Sequence, residues 1–270
     1  MLRLSATAKW ALGALVALIL LFIYAPLMVV ILNAFNARQI AGWPVVEFSL
    51  QWWIRTFELE DVRLALLNSL IVAFASMLIA MVLGTLIAFA LQRFEFFGKS
   101  TVNLLVVLPI ALPGVVTGVA FSNTYSNFVR PIGWEIGYFG MIVAHATFCI
   151  VMVFNNVFAR LKRMNPSLRE ASMDLGAGLW DTFRLVTFPQ FRTAFAAGAL
   201  LAFALSFDEV VVTIFTAPPG VDTLPLWILK QMARPTQSSV VNVVATLVIL
   251  LSLIPVYVSQ RLSRAEEEKV

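Results

Sequence analysis

An all-α integral membrane protein with six transmembrane helices is the fold this sequence predicts, and three observations carry it. Of the 270 residues, 60% are hydrophobic and 13% charged, whereas soluble domains carry roughly 25% charge. The apolar residues gather in runs at about 10–35, 64–92, 101–126, 138–160, 191–217 and 239–261, each near or above the ~20 residues a bilayer crossing needs. The cations divide unevenly between alternate connections. Thirteen, from Arg3, Lys9 and Arg93 to Lys269, fall on one side; six, Arg38, Arg55, Arg63, Arg130, Lys230 and Arg234, fall on the other. The excess marks the cytoplasmic side, so both termini and the 161–190 connection are expected there. The whole chain, 1–270, then reads as one membrane domain with little mass outside the bilayer. Its +4 net charge is spread over helix ends and makes no patch for nucleic acid.

The elements follow in order. Arg3 and Lys9 give the first run a signal-like flank, but Trp10–Phe35 is longer than a signal core and no A-x-A site follows, so it reads as a retained anchor. The outer stretch 36–63 holds Trp43, Trp52 and Trp53; indoles at that density predict an interfacial belt, on a short surface helix, or a docking surface. The third run carries Pro109, Pro113 and Gly114. A broken hydrogen-bond ladder is tolerated in a membrane where protein or a water-lined path repairs it, so this kink predicts either a pathway wall or a packing bend. The fourth run holds the only histidine, His145, and the only cysteine, Cys149. No metal-ligand spacing surrounds His145, which therefore reads as a hydrogen-bonded structural group. Asn155 and Asn156 on the same run are candidates to bond across to a neighbouring helix. The fifth run contains Ser206-Phe207-Asp208-Glu209. An ionisable side chain costs at least ~2.5 kcal/mol at a bilayer centre, so it faces an aqueous path or a partner charge. Neighbours on a helix point about 100° apart, so at most one acid is expected to face the path directly and the other to pair with a neighbouring helix or subunit. After it, Pro218, Pro219 and Gly220 turn the chain into an amphipathic segment, 224–232, on the outer side. The sixth run ends near Arg261 in the polar tail RAEEEK.

The connection 165–189 mixes both charge signs with Gly, Pro and helix formers. Asn165 can cap a helix whose first turn accepts Pro166, with Ser167 and Glu170 as a second capping pair. Leu168, Ala171 and Leu175 repeat as one apolar stripe, and Gly176 suits the left-handed stop. A second short helix then presents Trp180, Phe183 and Val186 and is expected to end at Pro189. Glu170 and Asp174 are like charges at i, i+4, unfavourable alone and relieved by a basic partner.

These residues resemble the cytoplasmic loop of bacterial ABC importer permeases, which reads E-A-A, three residues, G, nine residues, I-x-L-P. Here the corresponding residues are Glu170-Ala171-Ser172, then Gly176, then Val186-Thr187-Phe188-Pro189; Ser172, Val186 and Phe188 depart from the consensus while keeping size or apolarity. The resemblance implies the type I importer permease fold and an ATPase-coupling role for Glu170, Ala171, Ser172, Asp174, Leu175, Gly176 and Ala177. FDEVVV at 207–212, HATFC at 145–149, TLPLWI at 223–228 and VNVVATLVILLSL at 241–253 are similar to permeases of the polyamine/opine/phosphonate group, especially the second permease of spermidine/putrescine systems. The likeness covers nearly the whole chain. It implies an ABC ATPase dimer, a second homologous permease and a periplasmic solute-binding protein as partners, with lipid around them in the inner membrane. ATP and Mg would be held by the ATPase, and this subunit needs no cofactor, metal or catalytic residue of its own. The expected pathway residues are Asp208, Glu209, Ser206, Pro113 and Gly114. Polyamine permeases usually read Pro-Asp after the third-helix bend; Pro113-Gly114 lacks that acid, which suits a small amine-containing solute of lower charge, amino-acid-like or opine-like, as well as a polyamine.

Other classes fit less. A secondary transporter for an organic cation could use Asp208 and Glu209, but the two halves show no repeat and such a carrier has no use for a coupling loop. An intramembrane protease needs acids on two helices or a serine with a histidine, and no G-x-S-x-G occurs. No phosphate-binding loop is present, so ATP hydrolysis must come from another chain.

Overall fold

The computed structural model describes residues 5–40, 42, 44–45, 47–133 and 137–267, without the side chains at 6, 254–256 and 258–267. Trp43 lies outside the described residues. Twelve α-helical stretches are described and no strand beyond the single bridge Asn36–Phe48. In chain order they are α1 (Ala6–Ala34), α2 (Gln51–Glu58), α3 (Glu60–Arg93), α4 (Lys99–Ala111), α5 (Gly114–Thr124), α6 (Tyr138–Arg163), α7 (Pro166–Asp174), α8 (Leu179–Asp181), α9 (Phe188–Asp208), α10 (Val211–Thr216), α11 (Leu224–Met232) and α12 (Ser238–Glu267). Five spans are long and apolar enough to cross a membrane, and the bent pair α4–α5 makes a sixth.

The chain divides into two compact units, Met1–Arg63 with Ile228–Leu251, and Leu64–Trp227 with Ser252–Val270. In the first, Ser5 caps α1 by accepting from Ala8 N–H at 3.2 Å. The apolar side chains of α1 stand exposed, as a helix in lipid requires. The loop after it is fixed by Asn33 Oδ1, which accepts from Gly42 N–H at 3.2 Å, and by the Ser239 hydroxyl, which donates to Arg38 C=O at 2.8 Å. The short helix expected among the tryptophans is α2, yet Trp52 is only 7% exposed and Trp53 stacks on Phe35 with ring centroids 5.2 Å apart. These two indoles pack inside the unit rather than forming a belt, because a one-sided eight-residue helix buries its aromatic face.

The second unit is built on α6, whose Ala144, Cys149, Val151, Val153, Phe154 and Val157 are fully enclosed. Small residues let its neighbours approach. A Cβ at Gly84 of α3 would lie 2.9 Å from Ile150 C=O, and one at Gly198 of α9 would lie 3.1 Å from Val153 Cα. In lipid, where apolar burial drives little, such close backbone packing is what holds helices together. Asn156 does not reach across as expected: its amide donates to Met152 C=O of its own helix at 2.8 Å.

Three features concern helix continuity, the first expected from the sequence and the other two not. The third run bends by 105° where α4 passes to α5, because Pro113 caps α5 and removes a ladder donor. The second loop helix does not end at Pro189: residues Leu179–Asp208 run as one span of 30 residues. A π turn at Thr182–Thr187, closed by Phe188 N–H to Phe183 C=O, shifts the ladder ahead of Pro189, so the missing N–H falls in the first turn of α9. The fifth run, expected as 191–217, breaks at Glu209-Val210 between α9 and α10.

Candidate functional site

The segment 165–189 forms the helix its residues specify. Asn165 Oδ1 accepts from Ser167 N–H at 3.1 Å, and Pro166 opens α7; the Ser167–Glu170 box is therefore not the cap. At the other end Gly176 has φ +88°, with Gly176 N–H on Met173 C=O at 2.9 Å and Ala177 N–H on Ser172 C=O at 3.1 Å. That pair of bonds is a Schellman stop, which calls for glycine at this position. The helix then has two faces. Arg169, Ser172 and Met173 are partly buried, and the Ser172 hydroxyl meets that of Thr182 at 3.1 Å. Leu168, Glu170, Ala171, Asp174 and Leu175 are exposed, Leu175 at 89%. Beyond the stop, Leu179, Trp180 and Leu185 are bare as well. An exposed apolar stripe flanked by acids is the kind of surface that marks an interaction site. Behind it, Phe183 joins Phe89, Phe188 and Phe191 in edge and tilted contacts of 5.4–6.4 Å, anchoring the segment to α3 and α9.

At the far end of α9 the structure brings together residues from two broken helices. Asp208 is the last residue of α9, exposed, with no hydrogen bond or ion pair among the described residues. Glu209 is non-helical and half-buried; its Oε1 accepts from Val212 N–H at 2.9 Å, over the start of α10. Gly114, first in α5, lies beside the same carboxylate, since a Cβ there would be 3.9 Å from Glu209 Oε1 and 3.3 Å from Val211 Cβ. The two acids are thus separated by a helix break and not by a 100° turn of one helix, and their surroundings differ in sign. Helix N-termini stabilise the Glu209 charge, whereas Asp208 stands at the negative end of α9 among its last carbonyls.

Sequence reasoning left three participants unnamed. Ser206 is buried because it meets His145: His145 Nδ1 lies 2.9 Å from Ser206 Oγ, and Nε2 lies 3.0 Å from Thr213 Oγ1. The Thr213 hydroxyl donates to Glu209 C=O at 2.7 Å. It must then accept from His145 Nε2–H, which leaves Nδ1 to accept from Ser206. One neutral ring so ties α6 to both sides of the break, a role for Thr213 that its position in the sequence does not announce. The other two are Gly118 and Phe215. A Cβ at Gly118 would meet Phe215 Cδ2 at 2.5 Å. Gly114 and Gly118, spaced G-x-x-x-G, let α5 press against Val211 and Phe215 of α10; the spacing was the available signal. No group of three or more His, Cys, Asp or Glu that could hold a metal occurs among the described residues.

Residues 80–266 match the family described as the binding-protein-dependent transport system inner membrane component. This chain belongs to that family. It is 31% identical over 253 residues to the spermidine/putrescine transport system permease protein PotC of Escherichia coli K12, covering 93% of each chain. It is 30% identical to the putrescine transport system permease protein PotI of the same strain, over 92% of this chain and 89% of that one. A solved bacterial alginate ABC transporter has a chain of the same fold, with TM-score 0.74 over 95% of both chains at 18% identity. The fold is that of a type I ABC importer permease, and a member of this family is a permease subunit rather than an enzyme. An ATPase and a substrate-binding protein are separate partners in such systems. The secondary-transporter alternative gives way to that membership, and the place of the chain is the inner membrane.

Proposed function

We propose that this chain forms, with a second homologous permease, the path by which a small amine-bearing cation of the polyamine class enters the bacterial cytoplasm. A dimer of ATPases, holding ATP and Mg, drives alternating access from the face Leu168–Ala171–Leu175 with Glu170, Ser172, Asp174, Gly176 and Ala177. A periplasmic binding protein delivers the solute, and both termini lie in the cytoplasm with the 161–190 segment.

The observation that carries the solute reading is Asp208. It is an exposed carboxylate at the carbonyl end of a half-helix, with no cation among the described residues. Half-helix C-termini and unwound carbonyls suit cations in membrane carriers, and a primary ammonium offers both charge and three donors. Glu209, held by Val212 N–H, positions α10. Gly114 supports a limit on solute charge: an aspartate there would crowd Val211 and bring a second carboxylate beside Glu209. One uncompensated acid on this chain meets one ammonium; a second amine of putrescine or spermidine must be met by the other permease. The relatives named for spermidine and putrescine support the same class.

The test is uptake of putrescine, spermidine and a monoamine by the reconstituted complex. Asp208→Asn lowers uptake of all amines by about tenfold or more, the equivalent of an ion-paired hydrogen bond of about 1.5–3 kcal/mol, while ATPase co-purification stays unchanged. Loss of assembly in Asp208→Asn would show instead that the acid holds subunits together.

A further inference from the structure

At the ends of three spans, where α3 finishes at Arg93, α6 at Arg163 and the long helix begins at Leu179, lies a pocket of about 470 Å³. It sits on the inner face of α7, lined there by Arg169 and Met173, opposite the exposed stripe of Leu168, Ala171 and Leu175. Its floor is apolar, from Leu86 and Phe89 of α3 to Phe183, and Leu86 is 60% exposed. Its rim is basic. Arg93 lies over the Phe94 ring and pairs with no acid among the described residues, and Arg169 Nε is sealed from solvent with no hydrogen-bond partner among them. No Asp or Glu lines the pocket; its remaining polar lining is neutral.

Two guanidinium groups without a counter-charge among the described residues, one of them with a buried donor unmatched, are costly unless an anion completes them. The fork of a guanidinium fits phosphate oxygens in pairs. Basic pockets between spans at a membrane face hold anionic headgroups, and here the wall that continues outward is apolar enough for the first methylenes of an acyl chain. We propose that this pocket is a binding site for the phosphodiester headgroup of an anionic phospholipid, held by Arg93 and Arg169 beneath α7. The same chemistry could come from free phosphate, but the apolar floor and the position at the span ends favour the lipid. An acidic loop of the ATPase would have to pass α7 to its membrane side, away from the exposed stripe. The site is independent of which solute is carried and of which side of the bilayer the segment occupies.

Native mass spectrometry of the full chain with its co-purifying partners, released from phosphatidylcholine nanodiscs doped with phosphatidylglycerol, reads the site directly. Wild type retains phosphatidylglycerol over phosphatidylcholine. Arg169→Gln and Arg93→Gln each cut that retention about fivefold, equivalent to about 1 kcal/mol per basic residue at a membrane surface. Arg169→Lys, which keeps the charge, loses less, and Arg184→Gln, exposed and outside the pocket, changes nothing. If Arg169→Gln does not fold, the rim variant Arg93→Gln carries the comparison. Equal retention of both lipids, or unchanged retention in the Gln variants, overturns the proposal. So does thermal stabilisation by inorganic phosphate in detergent that needs the arginines while phosphatidylglycerol has no effect. Loss of the ATPase from the Gln variants with lipid retained would make the pocket a protein socket instead.

Discussion

Gly118→Ala is a sharp probe of the two broken helices, because it sets two opposed effects of known size against each other. Gly118 lies in the interior of α5, where alanine is favoured over glycine by about 0.5–1 kcal/mol. Its new Cβ, however, would lie 2.5 Å from Phe215 Cδ2, 3.1 Å from Cγ and 3.2 Å from Cβ. Carbon atoms are at rest about 3.5–4.0 Å apart, so the ring lacks about 1 Å and the Phe215 Cβ several tenths. Turning the ring eases the Cδ2 contact but not the one to Cγ, which is held by a Cβ fixed to the α10 backbone. Overpacking of this kind costs about 1–3 kcal/mol, so the clash wins and α10 is pushed off α5. Phe215→Ala removes the ring and leaves only the 3.2 Å contact. In that background the propensity term dominates and Gly118→Ala turns neutral or stabilising. Thermal unfolding of the purified complex, arranged as a double-mutant cycle, measures the coupling. Uptake by the single variant falls as well, because Val211 and Glu209 move with α10. Wild-type stability in Gly118→Ala, or an equal cost with and without the Phe215 ring, would refute the packing argument.

Other perturbations separate the parts. His145→Leu strands the Ser206 hydroxyl and removes the clamp on Thr213; the unfolding midpoint drops by the equivalent of about 1–3 kcal/mol for a buried group left unpaired, while the ATPase still co-purifies. Leu175→Asp, at a side chain 89% exposed, leaves the midpoint unchanged and abolishes ATPase co-purification; a folded complex that still holds its ATPase would remove this face from the docking surface. Gly176→Ala forces an L side chain to φ +88° at about 1–2 kcal/mol and weakens ATP-driven uptake, and Gly176→Asn is milder because asparagine tolerates that conformation.

The segment 165–189 was legible because its signals are local. Asn165, Pro166 and Gly176 set the ends of α7 within a dozen residues, and the structure uses all three. The bend at Pro113 was legible for the same reason. The break at Glu209 was not, since no glycine or proline marks it and Phe207, Asp208 and Glu209 do not forbid a helix. What holds it open is tertiary: His145 lies 61 residues from Ser206 and 68 from Thr213. Pro189 misled in the opposite direction, because a π turn just before it absorbs the lost donor. The tryptophans of α2 misled because composition reports that indoles are present, not which side of a short helix is covered.

The arrangement of α6 and α9 bears on how work at one end of the molecule reaches the other. Arg160 Nε donates to Gln190 C=O at 2.8 Å near one end, the Cys149 thiol donates to Ala202 C=O at 3.3 Å midway, and His145 meets Ser206 at the other end. The two helices are thereby pinned along their length, and Leu179–Asp208, 30 residues long, spans about 45 Å at 1.5 Å per residue. A beam so pinned transmits a tilt without bending, so displacement of the Trp180 end has to be taken up where the ladder is absent, at Glu209-Val210 and at Leu112-Pro113. The bonds resisting change at the first of these are the His145–Thr213 and Thr213–Glu209 contacts, each of net worth about 0.5–1.5 kcal/mol. Two arrangements separated by a few kcal/mol are what a partner can select between through differential contacts alone, so under the proposed function an ATPase docked at the Trp180 end needs only to favour one tilt of the beam to move Asp208 relative to α5.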